Sequence, residues 1–218
     1  MEKDYRVYTI RRLFKEHLPV IIQCCSSFDF LHFNPLDMDY MEKTLLTGEI
    51  WGVFNGDEII ALTYMQQADI PPFASLNAAW EIADLLDCDL ADSFLCGYLW
   101  TDGSCETGRL YSALTKLWAL QAVHYGRQNI IHYMPAHIDV DFPRLFANGF
   151  RLVGLRGLDN IVPHWIFTRQ AQIKTEDSKK YTDIKSCRLS DTITISMLCE
   201  HGYKGYAADR QKNLLFRR

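Results

Sequence analysis

The residues with the clearest chemical potential form one continuous run. Leu95-Cys96-Gly97-Tyr98-Leu99-Trp100 reads as a strand, Thr101 to Gly108 as a loop, and Arg109-Leu110-Tyr111 as the opening of a helix. The loop carries Gly103, Ser104, Cys105, Glu106, Thr107 and Gly108. A glycine-containing loop at a helix N-terminus presents N–H groups that have no intrahelical partner, and the helix dipole adds partial positive charge. Together these suit an anion, above all a phosphate. Two familiar phosphate loops are excluded by their residue patterns. There is no G-x-G-x-x-G here, and although Gly103 and Gly108 have P-loop spacing, Arg109-Leu110 stand where Lys-Ser/Thr is required.

Proton-exchanging groups follow on the next apolar run. His132 and Tyr133 lie on it and His137 just past it, and alternation points His132 into a core or a cleft. Phe30 and Phe33, with Tyr64 and Trp80, can wall an acceptor pocket, although aromatics more often fill cores. Cys96 and Cys105 are the candidate nucleophiles of a cysteine-dependent hydrolase. A buried strand thiol is the plainer reading of Cys96, and a passive loop residue that of Cys105. The seven histidines show neither H-x-x-x-H nor H-E-x-x-H spacing and the seven cysteines no C-x-x-C, so no metal site is expected. An odd cysteine count with two adjacent residues, Cys24 and Cys25, fits a reducing cytoplasm.

The elements that must position these groups are legible by periodicity. Tyr5 to Ile10 reads as a strand and Arg11 to Ser27 as a helix kinked at Pro19. Asp37 can cap a helix ending at Gly48. Ile50–Phe54 and Glu58–Met65 flank Asn55-Gly56-Asp57, a hairpin signal. Ser75–Leu86 reads as a helix, Phe94–Trp100 as a strand, and 108–124 as a long helix stopped by Gly126. Asn129–Met134 is the next strand. Asp139 or Asp141 caps a short helix ending at Gly149, and Arg151–Leu155 with His164–Arg169 close the set. The order predicts an α/β fold: a mixed, mostly antiparallel central sheet with helices on both faces, its strand-loop-helix-strand section parallel.

Composition bounds the rest. The chain has 218 residues, 48% hydrophobic and 23% charged, which excludes a disordered or collagen-like protein. A net charge of -4 argues against general nucleic-acid binding. No apolar stretch is long enough to span a membrane, and Met1 to Arg6 lead into no signal-like segment. After Gln170 the character changes. Lys174–Asp183 reads as a linker, Ser190–His201 as a helix capped by Ser190 or Asp191, and the basic stretch Arg210–Arg218 as a solvated tail.

From about Phe94 to Arg169 the sequence resembles the GNAT superfamily of CoA-dependent N-acyltransferases, whose phosphate loop is [Q/R]-x-x-G-x-[G/A]. That loop maps to Cys105-Glu106-Thr107-Gly108-Arg109-Leu110. Gly126 ends the following helix, Asn148-Gly149-Phe150 matches the family's Gly-Phe, and the 23-residue spacing between Gly126 and Gly149 is usual for it. The N-terminal order of strand, two helices and hairpin also fits. The resemblance implies a GNAT-like domain over residues 1–170, leaving 171–218 as a C-terminal extension. There are departures. Cys105 replaces Arg or Gln, Leu110 replaces the second small residue, the family's frequent Asn falls on Ile138, and its thiolate-protonating Tyr falls on Leu145.

The resemblance also implies a mechanism. The pyrophosphate of acetyl-CoA or another acyl-CoA would rest on the amides of residues 106–111, beside Gly103, Ser104 and Cys105. The pantetheine arm would pair with Leu99, Trp100 and Thr101, where the strand splays from its neighbour. A backbone N–H near Tyr98 or Leu99 would hold the oxyanion, and a neutral amine would attack directly. The Glu that many relatives carry on this strand has no counterpart between Ser93 and Trp100, which leaves His132, Tyr133 and His137 as proton carriers. The partner expected is a small-molecule or peptide amine acceptor, with no nucleic acid and no membrane, for a monomer or homodimer. The rival reading keeps the fold as a non-catalytic module that binds acyl-CoA or a protein.

Overall fold

The computed structural model describes residues 8–25, 45–46, 49–70, 77–86, 89–101, 107–136, 141–158, 162–172, 183–209 and 211–218. Ten strands form one sheet: β1 (Thr9–Leu13), β2 (Glu49–Asn55), β3 (Glu58–Gln67), β4 (Ser93–Thr101), β5 (Asn129–Pro135), β6 (Arg151–Leu158), β7 (Val162–Gln170), β8 (Ile184–Arg188), β9 (Lys204–Ala208) and β10 (Asn213–Arg217). Their order is β1-β2-β3-β4-β5-β7-β6-β9-β10-β8. Every neighbouring pair is antiparallel except β4–β5, as the strand-loop-helix-strand order requires.

Among the described residues, five α-helices with defined bounds cover the sheet: α1 (Leu18–Cys25), α2 (Asn77–Leu86), α3 (Thr107–His124), α4 (Phe142–Ala147) and α5 (Thr192–Glu200). On one face Leu18 and Ile21 of α1 and Ile82 of α2 pack with Leu62, Tyr64, Leu95, Ile131, Tyr133 and Ile166. On the other Trp118 of α3, Leu145 of α4 and Ile195 of α5 pack with Phe94, Cys96, Ile130 and Phe167. The alternation of side chains along each strand divides the two cores. No described helix is long and apolar enough to cross a membrane.

Local chemistry sets the boundaries. The β2–β3 hairpin closes on Asn55↔Glu58, with φ of 64° at Gly56, the first central residue of the turn. The Asp141 carboxylate accepts the Arg144 N–H at 3.0 Å and caps α4, and Gly149 beyond it has φ of 87°. Asp191 caps α5 through the Thr194 N–H at 3.1 Å.

Two expectations are corrected. Residues Arg11–Leu13 belong to β1, held against β2 with Leu13 opposite Ile50, so no helix begins at Arg11. The helix starts at Leu18 after a 3-10 turn (Lys15–His17), and Pro19 lies in its first turn, where its missing N–H removes no helical bond. The basic C-terminus is no solvated tail. Leu214 and Phe216 alternate inward, nearly or fully buried, and β10 lies between β9 and β8. Residues 183–218 thus extend the sheet beyond β6. The linker expected at Lys174–Asp183 and the helix expected before Gly48 lie almost wholly outside the described residues.

Candidate active site

The site is built by a fork in the sheet. β4 and β5 pair over four rungs, Ser93↔Asn129 to Cys96↔His132, and then part. Both strands continue. β4 stays on β3 as far as Thr101↔Ala61, and β5 stays on β7 as far as Pro135↔His164. A bulge helps to turn β4 away. Met65 faces Cys96 while Thr63 faces Leu99, so Gly97 and Tyr98 together stand opposite Tyr64. The edge of β4 from Gly97 to Thr101 therefore faces β5 across a gap, with no strand partner on that side among the described residues.

Helix α3 begins at the open end of this gap. Leu110, 5% exposed, packs with Val53, Ile60, Ala61 and Leu114, and Ala61 is the rung partner of Thr101. The helix is anchored further along, where the Trp118 Nε1–H donates to Thr63 Oγ1 at 2.6 Å. Thr107, Gly108, Arg109 and Leu110 thus supply the unpaired first N–H groups of a helix docked beside the open β4 edge. Leu110 stands as a core anchor whose backbone, not side chain, faces this role. Tyr111 lies in the same first turns. Gly103, Ser104, Cys105 and Glu106 lie outside the described residues.

His132 sits at the crotch of the fork. Its Nδ1 lies 3.1 Å from the Cys96 carbonyl, which can only accept, so this nitrogen carries the proton. The ring is 1% exposed and lies 5.0 Å from Trp118, with Phe150 and Phe167 at 6.1 and 6.2 Å, on the α3 face. Tyr133 turns to the opposite face, with its ring 5.7 Å from that of His164 on β7. His137, Ile138, Phe30 and Phe33 are outside the described residues. So is the side chain of Trp80, on α2. Tyr64 lies in the α1/α2 core at 7% exposure, across the fork from Tyr133.

The cysteine-hydrolase reading loses Cys96. Its thiol is fully buried, and that burial pushes its pKa well above the usual thiol range, with the nearby Arg169 charge pulling weakly the other way. Leu145 is fully buried in the α4 core, where the family Tyr was sought. No group of three metal-ligating side chains occurs among the described residues.

Three polar side chains escaped the sequence reading: Gln66, His164 and Arg169, which are 2%, 0% and 8% exposed. Gln66 falls just beyond the strand read as ending at Met65. His164 lies on the Ile166 side of β7, which also carries Thr168 and Gln170, so alternation alone did not single it out. Arg169 lies beneath α3, with its Nη1 3.5 Å from the Thr115 carbonyl.

No protein-family profile matches the chain, and neither does any curated protein. Solved structures do. The ribosomal-protein-S18-alanine N-acetyltransferase of Escherichia coli superposes with a TM-score of 0.54 at 11% identity, over 78% of this chain and 98% of that one. A Salmonella typhimurium protein described as an acetyltransferase, solved with its cofactor acetyl-CoA, gives 0.52 at 10% identity over 77% and 96%. A Desulfovibrio desulfuricans protein described as a GNAT-family acetyltransferase gives 0.52 at 11% identity over 76% and 100%. At these identities the likeness is one of fold, and the fold of this chain is that of the GNAT superfamily.

Proposed function

We propose that the protein is an N-acyltransferase that moves an acyl group, acetyl first among candidates, from CoA to an amine by direct attack in a ternary complex. The observation that carries this reading is the fork: β4 and β5 part after Cys96↔His132, with the N-terminus of α3 at its open end. The pyrophosphate of acyl-CoA fits the N–H groups at the start of α3, from Glu106 to Tyr111, with Gly103 to Cys105 in the adjoining loop. The pantetheine arm fits the open edge of Leu99, Trp100 and Thr101. The thioester then lies at the bulge.

Attack of the neutral amine forms the C–N bond and places negative charge on the former carbonyl oxygen. An N–H of Tyr98 or Leu99 stabilises that charge, and one such donor is worth about 3 kcal/mol. Collapse breaks the C–S bond and releases the CoA thiolate. With a thiol pKa of about 8.5 it leaves without strong acid help. The amine's proton ends on the departing sulfur, and the Tyr133 phenol beside the fork on the α1/α2 face relays it, taking that proton as it gives its own O–H proton to the thiolate. His132 acts as a positioning residue whose hydrogen bond to Cys96 fixes where the strands part. Tyr64, Trp80, Phe30 and Phe33 are the proposed acceptor wall, and the free cysteines Cys96, Cys187 and Cys199 fit a cytoplasmic setting.

Leu145 and the carboxylate-free β4 favour a second reading, a module that binds acyl-CoA without turnover. Thermal unfolding with acetyl-CoA tests both. A ligand at 100 times its dissociation constant adds about 2.7 kcal/mol. The expected result is a clear upward shift that Gly108→Glu abolishes, with CoA released on adding an amine. A shift without release selects the module. No shift removes both readings.

A further inference from the structure

Gln66 has both amide atoms buried without a hydrogen-bond partner, on a side chain that is 2% exposed. Leaving a buried donor or acceptor unpaired is unfavourable by about 1–3 kcal/mol per group, and the large majority of buried side-chain polar atoms in folded proteins have a partner in protein or ordered water. Its position gives the orphan a use. Gln66 pairs with Leu95, and Leu95 with Ile131, in the rung just below the one at which the sheet forks. Along β3 its neighbour on the same face is Tyr64, about 7 Å away by strand geometry, and Tyr64 stands opposite the bulge of β4.

That face is the one left for an acceptor. The proposed CoA site belongs to α3, which packs on the opposite face. Among the described residues, the buried side chains of the α1/α2 face near the fork are apolar apart from a short polar row, Gln66 and Tyr64 on β3, Tyr133 on β5 and His164 on β7, with Thr168 half-buried opposite Ile131. The row contains an amide, two phenols and an imidazole. No carboxylate, lysine or arginine is buried with it among the described residues.

We infer that Gln66 is a specificity residue that pairs with an amide group of the acceptor, so that the acceptor is an amine bearing a carboxamide or peptide group. This rests on the acyltransfer reading. A primary amide offers N–H donors beside a carbonyl acceptor, and a second amide satisfies both kinds at once. A phosphate, a carboxylate or a second ammonium would satisfy only one kind and would bring a charge that finds no counter-ion in this row. A site built to hydrogen-bond a substrate group rejects the analogue that lacks it.

The test compares glycinamide with isobutylamine, its near-isostere without an amide, and with ethylenediamine, which carries a second cation. CoA release from acetyl-CoA is measured for the wild type and for Gln66→Met, which keeps the side-chain length and flexibility. The wild type is expected to favour glycinamide over both others in kcat/KM by tenfold or more. Gln66→Met lowers the glycinamide-to-isobutylamine ratio at least tenfold, chiefly through KM. Because the substitution deletes an unpaired amide, the variant also melts no lower than the wild type in the absence of acceptor.

Turnover of isobutylamine or ethylenediamine on a par with glycinamide overturns the inference and leaves acyltransfer standing. An unchanged ratio in Gln66→Met overturns it too. If that variant also melts lower, the amide is satisfied by buried water only. A wild type that releases CoA with none of the amines loses the transferase reading, and the inference falls with it.

Discussion

Two joints in the sheet look weak by hydrogen bonding and behave in opposite ways. β4 and β5 share four rungs and then open. β6 and β9 share one, Leu152↔Gly205, and stay closed. The ladder does not decide the outcome. At the fork each strand is claimed by its other neighbour, and the bulge at Gly97 and Tyr98 turns β4 away. At the join the gap is filled. A Cβ on Gly205 would lie 3.0 Å from the Cβ of Leu152 and 3.3 Å from the Phe216 ring. Phe216, Leu152 and Ile195 belong to one buried cluster that runs across the join. Side-chain packing seals one joint, whereas at the other the β4–β5 ladder ends at Cys96↔His132 and each strand follows its other neighbour.

The largest expected effect breaks the closed joint. Phe216 is fully buried, so Phe216→Ala removes an aromatic from a packed core and is expected to destabilise by about 3–5 kcal/mol. Denaturant unfolding measures this. A loss below 1 kcal/mol would mean that packing does not hold the extension. The acetyl-CoA shift of the surviving folded protein is expected to persist, because the fork lies across β5 and β7 from the join.

The open joint is more delicate. His132→Phe keeps the ring and deletes its hydrogen bond to the Cys96 carbonyl. The expected loss is about 1–3 kcal/mol, read in the same unfolding experiment, together with weaker stabilisation by acetyl-CoA. Loss of stability with unchanged acetyl-CoA binding would make His132 a core residue alone and remove its positioning role.

How much of this was legible in the sequence follows the same division. The hairpin at Gly56, the cap at Asp141 and the stops at Gly126 and Gly149 are local, and the chain announces them residue by residue. The position of the fork is not local. It depends on a two-against-one pairing of Gly97 and Tyr98 with Tyr64, residues more than thirty positions apart in the sequence, and only the family resemblance implied that the strand splays. The C-terminus misled for a related reason. Its charges at Arg210, Lys212, Arg217 and Arg218 dominate the composition, while the two residues that fix its place, Leu214 and Phe216, make too short an alternation to outweigh them. The orphaned amide of Gln66 is a property of its surroundings, which no single-residue reading carries.

The thiols link both joints to pH. Burial raises Cys199, on the extension side, to about 12, and pushes Cys96, at the fork, well above its ordinary value. A folded pKa above the unfolded one means that the native state holds the proton longer. Its stabilising contribution is complete below about pH 9 and declines as pH rises toward 12. Each such thiol contributes a negative slope of up to about 1.4 kcal/mol per pH unit in that window. Cys199→Ala is expected to flatten the alkaline slope of the unfolding free energy. If the slope does not change, Cys199 is not buried as the structure places it.

The smallest effect tests whether charge shares in closing the join. Arg156 on β6 reaches Glu200 on α5 at 2.7 Å and Ser196 at 3.3 Å, bridging the same two parts of the sheet as Phe216. The two charged side chains are 36% and 47% exposed, so water and salt screen the pair. The Arg156 guanidinium also holds the Glu200 carboxyl below its ordinary pKa, which shows contact rather than strength at so exposed a site. Arg156→Ala is therefore expected to change stability by less than about 1 kcal/mol, with the difference shrinking as salt is added. A loss comparable to that of Phe216→Ala would reverse the account of the closed joint, making the ion pair rather than the core the element that holds the extension to the sheet.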